Sequence, residues 1–351
     1  MRTLMTRIWR GEAKRARLLL FAPLFVVSFL YGLAVKATER RWRQKADMID
    51  RAPIPVISVG NITVGGSGKT PVVEKLAHRL QAKGYRPCII LRGYRRKKKG
   101  VFSVDLQKDT HETAGDEAYM LAKRTRLPVV VGKRRIEAID EGISRFGATV
   151  ALLDDGYQVK NLKKDLEILV LNASTVQNPD LFPLGPLREP LDAVGRADIM
   201  LVNKGEPDDT ILDLAAGIPL FRVNYRPLHL FCMHHESMVH HGFLRGKRVL
   251  AFCGLGDNKP FFNLLRTLGA IVVREAEFED HHHYTMADVV KLRASTDIDM
   301  MVTTEKDAVK LETMDIPENL FYLAIEAVIE REAELVDLIV NRLQEHCGYE
   351  N

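Results

Sequence analysis

The residues with the clearest chemical capacity form a glycine-rich stretch, Gly65-Gly66-Ser67-Gly68-Lys69-Thr70-Pro71, placed directly after the apolar run Ile57-Ser58-Val59-Gly60. Glycines there let successive backbone N–H groups turn toward phosphate oxygens, and the helix expected to follow adds its N-terminal dipole. Lys69 is then within reach of β- and γ-phosphates, and the Thr70 hydroxyl can ligate magnesium. Pro71 falls early in that helix, where its missing N–H is harmless. The stretch departs from the pattern GxxxxGK[ST] at one position, because Thr63 stands where the first glycine belongs. Its setting between strand and helix predicts a P-loop that binds a nucleotide with magnesium, rather than an accidental glycine turn.

A second set of residues answers to the first. The apolar run Val150-Ala151-Leu152-Leu153 ends in Asp154-Asp155-Gly156, and P-loop proteins place an acidic residue at such a strand end to hold magnesium. Neighbouring strand side chains point to opposite faces, so only one of Asp154 and Asp155 shares the Thr70 side unless the strand has already ended. The bland alternative is a solvated Asp-Asp-Gly turn.

These groups need a scaffold, and the chain beyond residue 50 supplies its rhythm. Short apolar runs alternate with amphipathic stretches, which predicts an α/β fold. Strands are expected at 55–60, 88–91, 128–131, 150–153, 166–171 and 199–202, with helices at 71–82, 117–125 and 134–146. A second series follows, with strands at 248–253, 270–273 and 300–303 and helices near 259–268, 286–294 and 332–345. The expected architecture is a P-loop NTPase-type parallel sheet with helices on both faces, a second smaller α/β lobe, and an N-terminal membrane-associated helix. The corresponding divisions are an anchor at 1–50, a P-loop lobe at 51–217, a β-rich linker at 218–245 and a second α/β lobe at 246–351.

Composition sets bounds on the class. A chain of 351 residues with 46% hydrophobic and 28% charged residues is long enough for two cores and excludes disorder. Residues 1–51 hold 12 Lys/Arg against 4 Asp/Glu, a balance of +8, so the net +5 leaves the other 300 residues at −3. An acidic body argues against nucleic-acid binding. Cys88, Cys232, Cys253 and Cys347 form no CxxC pair, which points to neither a zinc site nor a disulfide framework.

The basic charge flanks an 18-residue uncharged run, Leu18 to Val35. As a helix it covers about 27 Å, slightly short of the roughly 30 Å hydrocarbon core. Leu4, Met5, Ile8 and Trp9 before it recur at helical spacing opposite Arg7, Arg10 and Lys14, the pattern of an interfacial helix. Both flanks prefer the anionic cytoplasmic leaflet, and a single crossing would export one of them. A monotopic anchor that dips into the cytoplasmic face of a membrane, bent at Pro23, is therefore favoured over a true span, a signal peptide or a buried core helix.

With these motifs in hand, the chain from about residue 50 to 310 resembles the tetraacyldisaccharide 4'-kinases, or lipid A 4'-kinases, of Gram-negative bacteria. The resemblance is carried in order by Gly60-Asn61 through Pro71, Arg92-Gly93-Tyr94, Gly115-Asp116-Glu117, Asp154-Asp155-Gly156-Tyr157-Gln158, Gly185-Pro186-Leu187-Arg188-Glu189, Asp280-His281 and Thr304-Glu305-Lys306-Asp307. It implies transfer of the γ-phosphoryl of ATP to the 4'-hydroxyl of a membrane-held, acylated glucosamine disaccharide 1-phosphate. It further implies that Asp116 is the catalytic carboxylate with His281 as its partner. Gly65, Gly66, Ser67, Gly68, Lys69 and Thr70 bind the triphosphate in that reading, joined by Gln158 and by Arg188 as a neutraliser of phosphate charge. Thr70, Asp154 and Asp155 complete the magnesium shell. Ala118, Val159 and Leu184 depart from the family pattern without removing any proposed catalytic group.

Two other clusters invite simpler readings. His281, His282 and His283 are adjacent and cannot all face one ion in regular structure. The run Arg92 to Lys99 can attract phosphate or anionic lipid, or remain a solvated loop. A rival from another class is a membrane-associated P-loop ATPase acting as a nucleotide switch for a protein partner.

Overall fold

The computed structural model describes residue 9 and residues 14–66, 68–203, 205–294 and 297–348. Leu4, Met5, Ile8 and Ser67 therefore lie outside the described residues, whereas Trp9 lies within them. Strands and helices follow the expected alternation. The first half of the chain contributes β1 (Val56–Gly60), α2 (Lys69–Ala82), β2 (Pro87–Leu91), β3 (Phe102–Ser103), α3 (His111–Ala114), α4 (Asp116–Thr125), β4 (Val129–Val131), α5 (Arg135–Phe146), β5 (Val150–Asp154), β6 (Leu166–Asn172), β7 (Ile199–Asn203) and α6 (Asp209–Leu214). It is preceded by α1 (Lys14–Gln44). The second half contributes β8 (Leu220–Cys232), β9 (Ser237–Val239), β10 (Arg248–Cys253), α7 (Lys259–Thr267), β11 (Ile271–Glu277), α8 (Met286–Arg293), β12 (Met300–Thr304), α9 (Glu305–Leu311), β13 (Leu320–Ile329) and α10 (Glu332–Gly348).

The strands join in one sheet of order β11-β10-β12-β13-β8-β7-β6-β1-β5-β2-β4-β3, with β9 paired to β8. Central strands such as β1, β2 and β5 are buried along their whole length, as parallel strands covered on both faces must be. Helix α2 lays Val72, Val73, Leu76, Ala77 and Leu80 on one face of the first half-sheet, beside Leu121 of α4. On the opposite face α5 packs Ala138 and Ile139 against Cys88, Ile90 and Leu153. In the second half, α7 and α8 cover the two faces. Each fully buried aliphatic side chain stabilises the fold by about 1.5–3 kcal/mol relative to exposure.

Strand β8 explains where a cleft must form. Its residues Leu220–Arg222 pair parallel with β7, whereas Val223–Cys232 pair antiparallel with β13. The parallel strands of the two half-sheets consequently run in opposite directions and are offset along β8, so their C-terminal ends point toward each other. Ligands in open α/β sheets bind outside those ends, and here two such edges converge. The segment 218–245, expected as a linker, thus includes a strand belonging to both half-sheets. The C-terminal helix α10, expected within the second lobe, packs Leu335, Ile339 and Leu343 into the same core as α2, and Lys83 bonds its Asp337 at 2.8 Å.

Helix α1 stands apart. Its portion Leu20–Gln44 is long and apolar enough to cross a membrane by length and composition, and Phe25, Val26, Phe29 and Leu30 are exposed. Its other side meets the body: Ser28 Oγ donates to Leu181 O at 2.9 Å, and a Cβ on Gly32 would approach Leu181 to 2.9 Å. Trp9 Nε1 donates to Pro183 O at 3.0 Å. These contacts hold the middle of α1 against the loop that leads to Arg188.

Candidate active site

The P-loop takes the shape its glycines permit. Gly65 and Gly68 have φ of +113° and +77°, and nothing lies within 4 Å of a Cβ built on Gly65 or Gly66, which leaves that flank open for a ligand. Gly68 is different: a Cβ there would stand 2.0 Å from the Tyr225 hydroxyl, which donates to Gly68 O at 2.9 Å. The strand that joins the half-sheets therefore grips the loop immediately before Lys69. At the unorthodox first position, the Thr63 hydroxyl accepts from buried Asn61 at 3.0 Å. The backbone of 62–64 pairs with 186–188, as Val64 N donates to Pro186 O and Arg188 N to Ile62 O, each at 2.7 Å. That pairing delivers Arg188 to the loop.

Both carboxylates of the Asp-Asp-Gly run face the loop. Strand β5 ends at Asp154, and Asp155 adopts the left-handed φ of +59°, which cancels the alternation of side-chain direction. Thr70 Oγ1 donates to Asp154 Oδ2 at 3.1 Å. Lys69 Nζ lies 3.3 Å from Asp155 Oδ1, and Arg188 bonds the same carboxylate at 2.9 and 3.1 Å. Burial, aided by the charge of Glu117, pushes the Asp154 carboxyl up toward neutrality, to about 7. Asp155 moves the other way: burial opposes its ionisation, but Lys69 and Arg188 outweigh it and hold the carboxyl below its usual range. Gln158 is engaged within the protein, donating to Asn61 O and Glu189 Oε1 and accepting from Arg188.

The facing edge supplies the second constellation. A turn at Gly115, with φ of +94°, starts α4 at Asp116, where the helix dipole favours a carboxylate. His281 reaches it from the loop after β11, with Nδ1 3.2 Å from Asp116 Oδ2. Two lysines on α9 enclose the pair. Lys306 Nζ is 3.3 Å from His281 Nε2 and 3.2 Å from Asp280, while Lys310 Nζ is 3.6 Å from Asp116 and 2.9 Å from Asp307. Burial would raise the Asp116 carboxyl, but the His281 hydrogen bond and the Lys310 charge bring it below the ordinary value. Arg124 fixes α4 to its neighbours, bonding Glu74 of α2 at 2.7 Å and Glu305 of α9 at 2.6 Å.

The two constellations meet. A Cβ on Gly256, in the loop after β10, would lie 3.9 Å from Gly65 Cα and 4.0 Å from both Gly66 N and an Asp280 carboxylate oxygen. Lys306 also lies 3.4 Å from Glu117, whose charge is felt at Asp154. Lys69, Thr70, Asp154, Asp155, Gln158 and Arg188 thus cluster on one edge, and Asp116 with His281 on the other. Ser67 lies outside the described residues. Motif reading assigned no role to Lys306, Lys310 or Tyr225, although the i, i+4 spacing of the two lysines puts them on one helix face.

The donor set suits a hard divalent cation shared with phosphate. Asp154 is a buried carboxylate that sits beside a second carboxylate and the Thr70 hydroxyl. Among the described residues no group of three or more His, Cys, Asp or Glu side chains could hold a metal by itself. Magnesium takes one or two carboxylates and leaves its other positions to water and substrate phosphates.

Comparison with known proteins places this geometry among relatives. The family model described as tetraacyldisaccharide-1-P 4'-kinase matches residues 20–344. The tetraacyldisaccharide 4'-kinase of Desulfatibacillum aliphaticivorans is 34% identical over 342 residues, covering 92% of this chain and 93% of that one. That of Aquifex aeolicus is 35% identical over 325 residues, covering 92% and 98%. A crystal structure of the "apo" form of LpxK from Aquifex aeolicus in complex with ATP superposes with a TM-score of 0.76 at 34% identity, covering 92% of this chain and 99% of that chain.

Proposed function

Because this chain belongs to the tetraacyldisaccharide-1-P 4'-kinase family, we infer that it transfers the γ-phosphoryl of ATP to the 4'-hydroxyl of an acylated glucosamine disaccharide 1-phosphate in lipid A biosynthesis. The observation that carries the site assignment is the convergence of the Asp116–His281 pair on the P-loop through Gly256, Asp280 and Glu117. A nucleotide switch has no use for such a pair.

The roles follow from hydrogen-bonding capacity. The backbone from Gly65 to Lys69 cradles the triphosphate, and Lys69 exchanges its resting partner Asp155 for phosphate oxygens. Thr70, Asp154 and Asp155 hold magnesium, which when bound neutralises charge on the transferring phosphoryl group. Arg188, oriented by Gln158 and Asp155, faces the same phosphates. Asp116 accepts the proton of the 4'-hydroxyl as the new O–P bond forms and the bond from the γ-phosphorus to the β-bridging oxygen breaks, releasing ADP. His281 donates to Asp116 and holds it in place.

The membrane assignment rests on α1. Its midpoint is fastened to the body by Ser28 and Tyr31, so that midpoint cannot sit at the centre of a bilayer while the body stays in water. A helix lying in the cytoplasmic leaflet of the inner membrane satisfies both its apolar side and its basic flanks, and it meets ATP and the lipid acceptor on the same side. We read 51–217 as the kinase lobe and 246–351 as the lobe that brings His281, with α10 returning to the first.

Incubation with γ-labelled ATP and acylated disaccharide 1-phosphate, followed by thin-layer separation, tests the function. Label is expected in a bisphosphorylated lipid, and label released only as inorganic phosphate rejects the reading.

A further inference from the structure

Lys306 addresses the proton that motif reading leaves unassigned. Its ammonium group stands 3.3 Å from His281 Nε2, and an ammonium has hydrogens to donate but no lone pair. Nε2 must therefore accept. On the other side of the ring, Nδ1 faces a carboxylate oxygen of Asp116 at 3.2 Å, and a carboxylate only accepts, so the ring hydrogen resides on Nδ1. Two neighbours of opposite hydrogen-bonding character thus select one tautomer.

The competing partner for Nε2 is Asp280, but its nearest oxygen is 3.7 Å away, beyond hydrogen-bond length, and Lys306 binds it at 3.2 Å. Burial works against the charge on Lys306, yet Glu117 and Asp280 outweigh it and raise its pKa. A hydrogen on Nε2 would meet the ammonium donor to donor. Among the described contacts, Arg95 donates to the His281 carbonyl at 3.1 Å and the Tyr94 ring packs with its centroid 5.1 Å from that of His281, neither of them an acceptor for Nε2. His281 itself is held at a φ of +59°, so its ring is placed by contacts rather than by a regular element.

We propose that Lys306 is a positioning residue of the transfer site, locking His281 as the Nδ1–H tautomer so that the imidazole acts only as a donor to Asp116 and leaves the carboxylate as the proton acceptor. This rests on the reading of Asp116 given above. It also accounts for two lysines beside one acid–base pair: Lys310 contacts the carboxylate and Lys306 the imidazole.

The test uses the full chain in detergent, labelled with 15N-histidine, with the His281 resonances identified by their loss in His281→Asn. Expected for the native protein are an unprotonated Nε2 and a protonated Nδ1. Lys306→Met removes the donor and leaves Nε2 facing the Asp280 carboxylate. It is expected to place a hydrogen on Nε2 while Asp116 keeps the one on Nδ1, and to lower kcat by about a hundredfold, the low end of acid–base contributions, with KM for ATP within about twofold. Lys306→Arg retains a donor and is expected to restore the tautomer and most of the turnover. An Nε2–H tautomer in the native protein overturns the proposal, as does a Lys306→Met protein with native tautomer and turnover. If Lys306→Met does not fold, the native spectrum and Lys306→Arg decide alone. Full turnover in Asp116→Ala would remove the underlying reading instead, and the tautomer is measured without turnover, so the two failures are distinguishable.

Discussion

Tyr31, in the middle of α1, donates its phenolic hydrogen to the backbone carbonyl of Arg188 at 2.9 Å, and the guanidinium of that arginine holds Asp155 at 2.9 Å. One residue therefore separates the apolar helix from the carboxylate on which Lys69 rests. The contact is reinforced by Phe182, whose ring lies edge-on to both Tyr31 and Trp9. The apolar helix and the P-loop are thus linked through Arg188.

Tyr31→Phe removes that hydrogen bond and keeps the ring. The loss is about 1 kcal/mol, a factor of about five in a binding constant. Steady-state kinetics should show KM for ATP rising several-fold with kcat largely retained. Unchanged ATP kinetics would mean that the helix and the P-loop do not communicate through Arg188.

Asp116→Ala and His281→Ala should each lower turnover by about two to four powers of ten, the range for a positioned proton acceptor and its support. ATP affinity, measured by nucleotide titration, should change little, because neither side chain contacts Lys69 or Thr70 among the described contacts. Near-native turnover in either variant removes that residue from the transfer step.

Much of this site is legible in the sequence because its parts are local. Strands buried on both faces read as unbroken apolar runs, and a P-loop is a short segment whose residue types state its chemistry. The departures have physical reasons. Alternation along β5 separates Asp154 from Asp155, but the left-handed φ at Asp155 reunites them, and no side-chain pattern signals it. Lys306 and Lys310 look like an ordinary solvated helix face, whereas Lys310 is buried and Lys306 half-buried among Asp116, Asp280, Asp307 and Glu117. The double pairing of β8 is invisible locally, since an extended strand carries no mark of which partner each half will meet. An amphipathic C-terminal helix likewise does not announce that α2 is its partner.

Magnesium dependence should vary with pH through Asp154. Its carboxyl is raised to about 7, first by burial and then by Glu117, so the metal-free folded protein holds a proton there that the unfolded chain has released near pH 4. The sign is fixed: without metal, this group's contribution to stability falls as pH rises from about 4 to 7. Metal binding requires the carboxylate and expels the proton, so apparent Mg2+ affinity should weaken below pH 7 by up to about tenfold per unit. Titration of Mg2+ at fixed ATP between pH 5.5 and 8 measures this directly. Asp154→Asn should abolish the pH dependence along with most Mg2+ affinity, and a flat profile in the native protein would show that no Asp154 proton is displaced by the metal in this range.

Deleting α1 is a poor test of anchoring, because it also removes Ser28 and Tyr31 from the body. The exposed side offers a cleaner one. Phe25 and Phe29 are more than half exposed, at 52% and 59%, and the described hydrogen bonds of α1 to the body come from Ser28 and Tyr31. Phe25→Ser with Phe29→Ser withdraws two aromatic side chains from lipid, at about 1.5–3 kcal/mol each, and so should lower vesicle binding by at least two powers of ten. Confinement to a surface raises the effective concentration of enzyme and lipid acceptor. Phosphorylation of substrate in vesicles should therefore fall steeply, while turnover on detergent-dispersed substrate and affinity for ATP stay near native. Deletion of residues 1–37, in contrast, should impair ATP kinetics as well, to at least the extent of Tyr31→Phe. Equal losses in vesicles and detergent for the double serine variant would show that the exposed apolar side serves the fold rather than the membrane.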